Sequence, residues 1–203
     1  MFTTKGAAAA AKKFRRRGLT GTALDLATAI SKSSPLKGSV LEVGGGVGQI
    51  HLTLLRNGEA TTALNVELSR NWETKARKLI GELGLEGRVE RIIGDFVSEG
   101  RNLARADAVI LHRVVCCYPD WRAMLEAALS KANRMLGLTF PIDRSWVKAM
   151  VGLGNQVMRL RREPFRAYVH PTDLMLGLVR SHGFEITSDR SGLVWRTVIA
   201  RRG

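Results

Sequence analysis

The chain has 203 residues, 45% apolar and 25% charged, which suits one domain with its own hydrophobic core and excludes wholesale disorder. No apolar run nears the ~18 residues that a bilayer-spanning helix needs, and the only two cysteines, Cys116 and Cys117, are adjacent, which excludes a disulfide framework or cysteine-rich zinc module and leaves the cytoplasm as the expected compartment. Lys and Arg number 32 against 18 Asp and Glu, a net charge of +14 that attracts polyanions: nucleic acid, anionic lipid, or a phosphorylated or carboxylated substrate.

The first 20 residues carry six basic and no acidic side chains. Their alanine run followed by Lys12, Lys13, Arg15, Arg16 and Arg17 favours a helix. Gly18 ends it, and Thr20 or Thr22 caps a second helix with Leu24, Ile30 and neighbouring alanines on its apolar side. Ser31 to Gly38, with Pro35, reads as a linker. From residue 39 short apolar runs alternate with helical periods. Strands are expected at 39–43, 62–68, 89–93, 106–111 and 135–140, the last stopped by Pro141. Helices are expected from about Val47, at 71–83, 121–132, 145–162 and 172–182. The chain closes with strands 184–188 and 193–200 around the turn signal Arg190-Ser191-Gly192. This order implies an α/β fold, a Rossmann-like doubly wound seven-stranded sheet, mostly parallel, with an antiparallel C-terminal hairpin and helices on both faces. Residues 1–35 are read as a helical lid and 36–203 as the main domain, in which 141–172 form an insertion for acceptor recognition.

The informative segment is Glu42-Val43-Gly44-Gly45-Gly46-Val47-Gly48. A strand, a glycine loop and a helix in succession let backbone approach a nucleotide without interference from Cβ atoms. The dinucleotide spacing G-x-G-x-x-G is not met, because Gln49 stands where its last glycine belongs. Glu67, at the end of the second strand and followed by Leu68, lies at the offset from which a carboxylate reaches ribose hydroxyls. Asp95, in Gly94-Asp95-Phe96, ends the third strand, where a carboxylate accepts from an adenine amino group while Phe96 offers its ring.

These residues, with Leu111-His112-Arg113 after the fourth strand, resemble the class I S-adenosylmethionine-dependent methyltransferases over about residues 36–200. More narrowly, the run His112 to Asp120 and the segment Phe165-x-x-Tyr168-Val169-His170-Pro171 resemble small-molecule O-methyltransferases of the magnesium-protoporphyrin type. The resemblance implies S-adenosylmethionine as cofactor and S-adenosylhomocysteine as product. It places Glu42, Gly44, Gly45, Gly46 and Gly48 beside the methionine part, Glu67 and Leu68 at the ribose, Asp95 and Phe96 at the adenine, and His112 at the edge of that pocket.

Methyl transfer is a displacement in which positioning and desolvation contribute most, so a base is needed only when the acceptor must lose a proton. His112, His170 and Tyr168 are the candidate catalytic groups. His51 and His182 are read as structural or surface groups. The Cys-Cys-Tyr-Pro order lacks the Pro-Cys pair with which cytosine-C5 methyltransferases attack, and no carboxylate cluster follows the fourth strand, so no metal is expected. Trp146, Arg166, Tyr168 and His170 are expected at the acceptor, an anionic or aromatic small molecule methylated at oxygen. The alternatives are an RNA methyltransferase of the same fold, motivated by the +14 charge, and a non-catalytic binder of S-adenosylmethionine.

Overall fold

A computed structural model describes residues 3–33 and 36–203, with the side chain of Arg101 left out. Pro35 of the expected linker lies outside the described residues. The elements in chain order are α1 (Thr4–Arg17), α2 (Thr22–Ser33), β1 (Gly38–Val43), α3 (Gln49–Arg56), β2 (Ala60–Glu67), α4 (Glu73–Glu82), β3 (Val89–Ile93), α5 (Phe96–Glu99), β4 (Ala106–His112), α6 (Trp121–Lys131), β5 (Ala132–Pro141), α7 (Ser145–Leu160), α8 (Thr172–Ser181), β6 (Phe184–Ser191) and β7 (Trp195–Arg202). The seven strands lie in the order β3-β2-β1-β4-β5-β7-β6. β1 to β5 pair in parallel, and β7 runs antiparallel to both β5 and β6. The order reverses between β1 and β4, the place where open α/β sheets bind ligands beyond their carboxyl ends.

Strand side chains alternate between two cores, as the pleat requires. Val40, Ala108, Ile110, Met135 and Ile199 join the side chains of α1, α2, α3 and α4. Leu41, Val109, Leu111, Leu136, Leu138 and Val198 join those of α5, α6 and α8. Complete burial of Leu26 and Ile30 on α2 contributes roughly 2–3 kcal/mol each. Gly137 on β5 makes room for them, since a Cβ there would stand 3.3 Å from Leu26. α2 is thus part of the main core, together with Ala7, Ala11 and Phe14 of α1.

α1 starts where the Thr3 hydroxyl accepts the Gly6 N–H at 3.1 Å and ends at Gly18, whose N–H reaches the Phe14 carbonyl. Several expectations are corrected. Leu24 is exposed, and Ala23 and Leu26 take the inner positions of α2. Pro141 does not stop β5 but belongs to it, opposite Trp195, in a register place where its missing N–H is tolerated at the strand end. β6 continues to Ser191, held by pairing with β7 through the polar stretch that read as a turn.

Candidate functional site

The glycine loop leaves β1 with the Gly44 N–H bonded to the Val66 carbonyl at 2.8 Å. Gly46 and Gly48 have φ of 59° and 88°, conformations that cost other residues about 1 kcal/mol or more. The loop is also drawn tightly onto what lies beneath. A Cβ on Gly45 would stand 2.7 Å from both the Glu42 carboxyl carbon and the Asn65 amide nitrogen, and one on Gly48 would stand 2.4 Å from the His51 ring.

Beneath it is a buried polar cluster. Glu42, 1% exposed, accepts from the His51 backbone N–H at 3.2 Å, and its Oε2 lies 2.5 Å from His51 Nδ1. Burial pushes the Glu42 carboxyl up, but the hydrogen bond and charge of His51 outweigh it and hold the group below its ordinary value. Among the described residues His51 Nε2 finds no partner. Asn65 Nδ2 donates to the Glu42 carbonyl at 2.8 Å. Arg91 then ties three elements together, donating to Glu73 at 2.8 Å, to Asn65 Oδ1 at 2.6 Å and to the Gly46 carbonyl at 3.1 Å.

Glu67 closes the loop from the β2 side. One carboxylate oxygen accepts from the Gly46 N–H and the other from the Ser69 N–H, each at 2.9 Å. Burial raises its pKa, partly offset by those two N–H groups and by Arg91. Trp72 lies over Gly46, its ring 3.4 Å from where a Cβ would be. Leu68, 68% exposed, stands beside this mouth. At the end of β3, Asp95 caps α5 through the Val97 N–H at 3.2 Å and accepts from the Ser98 and Tyr118 hydroxyls, also at 3.2 Å.

His112 ends β4, and its Nε2 lies 2.9 Å from the Thr22 hydroxyl of α2. Thr22 therefore serves the ring rather than capping its own helix. Burial, with Arg113 adding to it and Glu42 opposing, lowers the His112 pKa to about 4. Arg113 follows in a left-handed conformation, φ 59°, with its guanidinium 4.1 Å from the centre of the Trp195 ring. The next turn aims both thiols, Cys116 and Cys117, at the Arg113 carbonyl at 3.5 and 3.4 Å. Cys116 is held protonated by its bond to Cys117 and by burial.

The expected cofactor and catalytic residues separate into two groups. Gly44, Gly45, Gly46, Gly48, Glu67, Leu68, Asp95 and His112 do gather at the carboxyl ends of β1, β2, β3 and β4. Glu42 does not reach the mouth, because it supports the loop from below. The Phe96 ring, 3% exposed, belongs to the core with α6 rather than to an adenine face. Burial disfavours the protonated form of His112, which makes it a weak base near neutral pH. The buried Nε2 of His170 stands 3.1 Å from the carbonyls of both Val115 and Tyr118, so that nitrogen carries a proton shared between two acceptors and bolts the segment after β4 in place, leaving Nδ1 as the ring's basic atom. Tyr168 stacks on it at 5.6 Å, and its N–H donates to the Cys116 carbonyl at 2.7 Å. Arg166 donates to the carbonyls of Glu163 and Phe165 at 2.6 and 2.7 Å, stiffening its own loop.

The sequence reading missed Asn65, Arg91 and Trp72, and saw in Thr22 only a helix cap. A signal existed for the first two: each is a polar residue inside a run that otherwise reads as a buried strand. Two clefts in the surface lie away from this edge, one of about 580 Å³ by Ser39, Thr62 and Arg88 and one of about 450 Å³ by Arg180 and Phe184.

The sequence matches no protein-family model and no curated protein. The fold has many solved counterparts. Magnesium protoporphyrin IX methyltransferase from Synechocystis PCC 6803, with bound S-adenosylhomocysteine, superposes with a TM-score of 0.71 at 22% identity, over 90% of this chain and 82% of that one. An O-methyltransferase family protein from Burkholderia thailandensis gives 0.74 at 20% identity, over 98% of this chain but only 60% of that one. A candidate RNA methyltransferase from Pyrococcus horikoshii gives 0.59 at 16% identity, over 89% of this chain and 81% of that one. The chain has the Rossmann-like fold of the class I methyltransferases, with its antiparallel C-terminal hairpin.

Proposed function

We propose that the protein binds S-adenosylmethionine at the glycine loop and transfers its methyl group to a small molecule, at an oxygen of an anionic or aromatic compound. The observation that carries this reading is the succession at the carboxyl edge: a positive-φ glycine loop after β1, Glu67 ending β2 and Asp95 following β3. The residues present fit the cofactor. Gly46 offers bare backbone under a tryptophan face. The Glu67 carboxylate spends two of its roughly four acceptor positions on N–H groups, which leaves room for ribose hydroxyls. Solved neighbours with S-adenosylhomocysteine and S-adenosylmethionine bound support the same reading.

Bound there, the cofactor supplies an electrophilic methyl group. The chain contributes position and dryness. Glu67 and Asp95 orient the nucleoside end, and Trp72 covers the loop. Neutral His112, fixed by Thr22, lines the methyl end as a hydrogen-bonding group and a weak base. α1 acts as a lid through its contact with the Arg70–Trp72 turn and α4, tied by the Arg15–Glu82 ion pair at 2.6 Å. On the acceptor side, Trp146 at the start of α7 and Tyr168 supply ring surface, while Arg166 and His170 hold the loop that carries Tyr168. The reading keeps the protein in the cytoplasm. An RNA acceptor is the second reading, favoured by the +14 charge.

Calorimetry with S-adenosylhomocysteine tests the proposal. Binding at one site is expected, with loss of at least tenfold in affinity in Gly46→Val, where the side chain strains the loop and meets Trp72. Heat from NAD and none from S-adenosylhomocysteine would overturn it.

A further inference from the structure

α7 contributes no residue to either core cluster, and Val147 is its one buried residue. Trp146, Met150, Leu153, Val157 and Leu160 follow at spacings of four, three, four and three. At 3.6 residues per turn they fall within an arc of about 80°. These five side chains are 46, 46, 69, 40 and 84% exposed. Leucines as open as Leu153 and Leu160 belong to a convex ridge, whereas the wall of a pocket would shield them. The helix carries Lys148 and Arg159 away from this ridge and has no acidic residue. Arg144 precedes it, and Arg161 and Arg162 follow, all exposed.

We propose that α7 docks on an anionic lipid bilayer, lying in the plane of the interface with its ridge among the acyl chains. An apolar ridge with Lys and Arg on the remaining face is the pattern of such helices, and a tryptophan suits the interfacial level. The cations at both ends sit at the headgroup level, where anionic lipid complements them. Among the described residues no helix is long and apolar enough to cross a membrane, so the contact is peripheral. A second copy fits less well. Pairing two such helices antiparallel through the ridge sets Arg144 of one copy near Arg161 and Arg162 of the other, while the flanking carboxylate of Asp143 is already taken by Lys148 at 2.6 Å.

Docking would bring the carboxyl edge of the sheet against the bilayer. α7 leaves from the end of β5, and Asn155 holds it to the Ala167 backbone through bonds of 2.8 and 2.9 Å, just before Tyr168. The docking does not rest on the methyltransferase reading. If both hold, the acceptor is one that partitions into lipid.

The test is co-sedimentation of the full chain with vesicles of phosphatidylglycerol and phosphatidylcholine in equal parts, and with phosphatidylcholine alone. Binding to the anionic vesicles is expected. The neutral variant Leu153→Ser/Leu160→Ser should reduce it about tenfold, while Leu193→Ser, at a residue 85% exposed beyond β6, should leave it unchanged. Trp146 emission, taken as the difference between the wild type and Trp146→Phe, should shift to shorter wavelength on the anionic vesicles. Three results would overturn the proposal. One is absence of binding, and another is binding that survives the double serine variant, which marks attraction by bulk charge alone. The third is a dimer in lipid-free sedimentation that the double variant abolishes without any vesicle binding, which identifies a second copy as the occupant.

Discussion

Under the glycine loop, Glu42, His51, Asn65, Arg91 and Glu67 bind one another or the loop backbone through bonds drawn from β1, α3, β2 and β3. Beside β5, the long helix α7 buries Val147 alone, and its Asn155 clasps Ala167. The first region is over-determined: displacing any one member strands a buried polar partner. In the second, the loop arginine Arg166 bonds the carbonyls of Glu163 and Phe165 in its own loop, and the helix ridge faces outward. A sheet edge built this way holds one ligand in a fixed shape and leaves the other side free to adapt.

The strongest way to break this contrast is to remove His51. His51→Leu leaves the buried Glu42 carboxylate without its partner, at an expected cost of about 3–5 kcal/mol in urea unfolding. A loss under about 1 kcal/mol would mean that the loop does not depend on the cluster. The pair also sets an acid limit. Glu42 is held below its ordinary value of 4.5, so its contribution is present above that pH and disappears as pH falls through the lower folded value.

A smaller effect comes from His112. Its pKa falls from 6.5 to about 4 on folding, so the neutral ring stabilises the fold fully above pH 6.5. That contribution shrinks as pH drops from 6.5 toward 4, by up to about 3 kcal/mol. Urea midpoints for the wild type should fall over this window, and His112→Asn should flatten the fall. Identical pH profiles would contradict the burial assigned to the ring.

How far the sequence foretold this depends on the kind of signal. Val89, Ile92 and Ile93 form a short β-branched segment between turn residues, and Val89–Ile93 is a strand. The end of α1 at Gly18 was equally legible, because a helix stop needs only local chemistry. The C-terminal hairpin was legible too, but its extent was not: β6 runs on through Asp189, Arg190 and Ser191 because β7 pairs with it, and pairing is invisible in the strand's own composition. At the site, the glycines and the acids at the ends of β2 and β3 announced themselves by spacing. That Glu42 points down to His51 rather than up toward a ligand is a matter of which face of β1 it occupies, and the buried partner on α3 lies nine residues away in the chain.

The smallest effect sharpens the contrast from its loose side. Asn155→Ala removes the clasp on Ala167 and should cost about 1 kcal/mol, seen as faster hydrogen exchange at the Ala167 amide. Affinity for S-adenosylhomocysteine should not change, since the clasp lies outside the loop cluster.

The central claim, that the over-determined half of the edge is a cofactor cradle, is tested most directly by titrating S-adenosylhomocysteine into the wild-type protein in a calorimeter. The account predicts saturable binding at one site per chain, abolished or weakened at least tenfold by Gly46→Val while Asn155→Ala binds like the wild type. Absence of binding in the folded wild type, or equal binding by Gly46→Val, would contradict it.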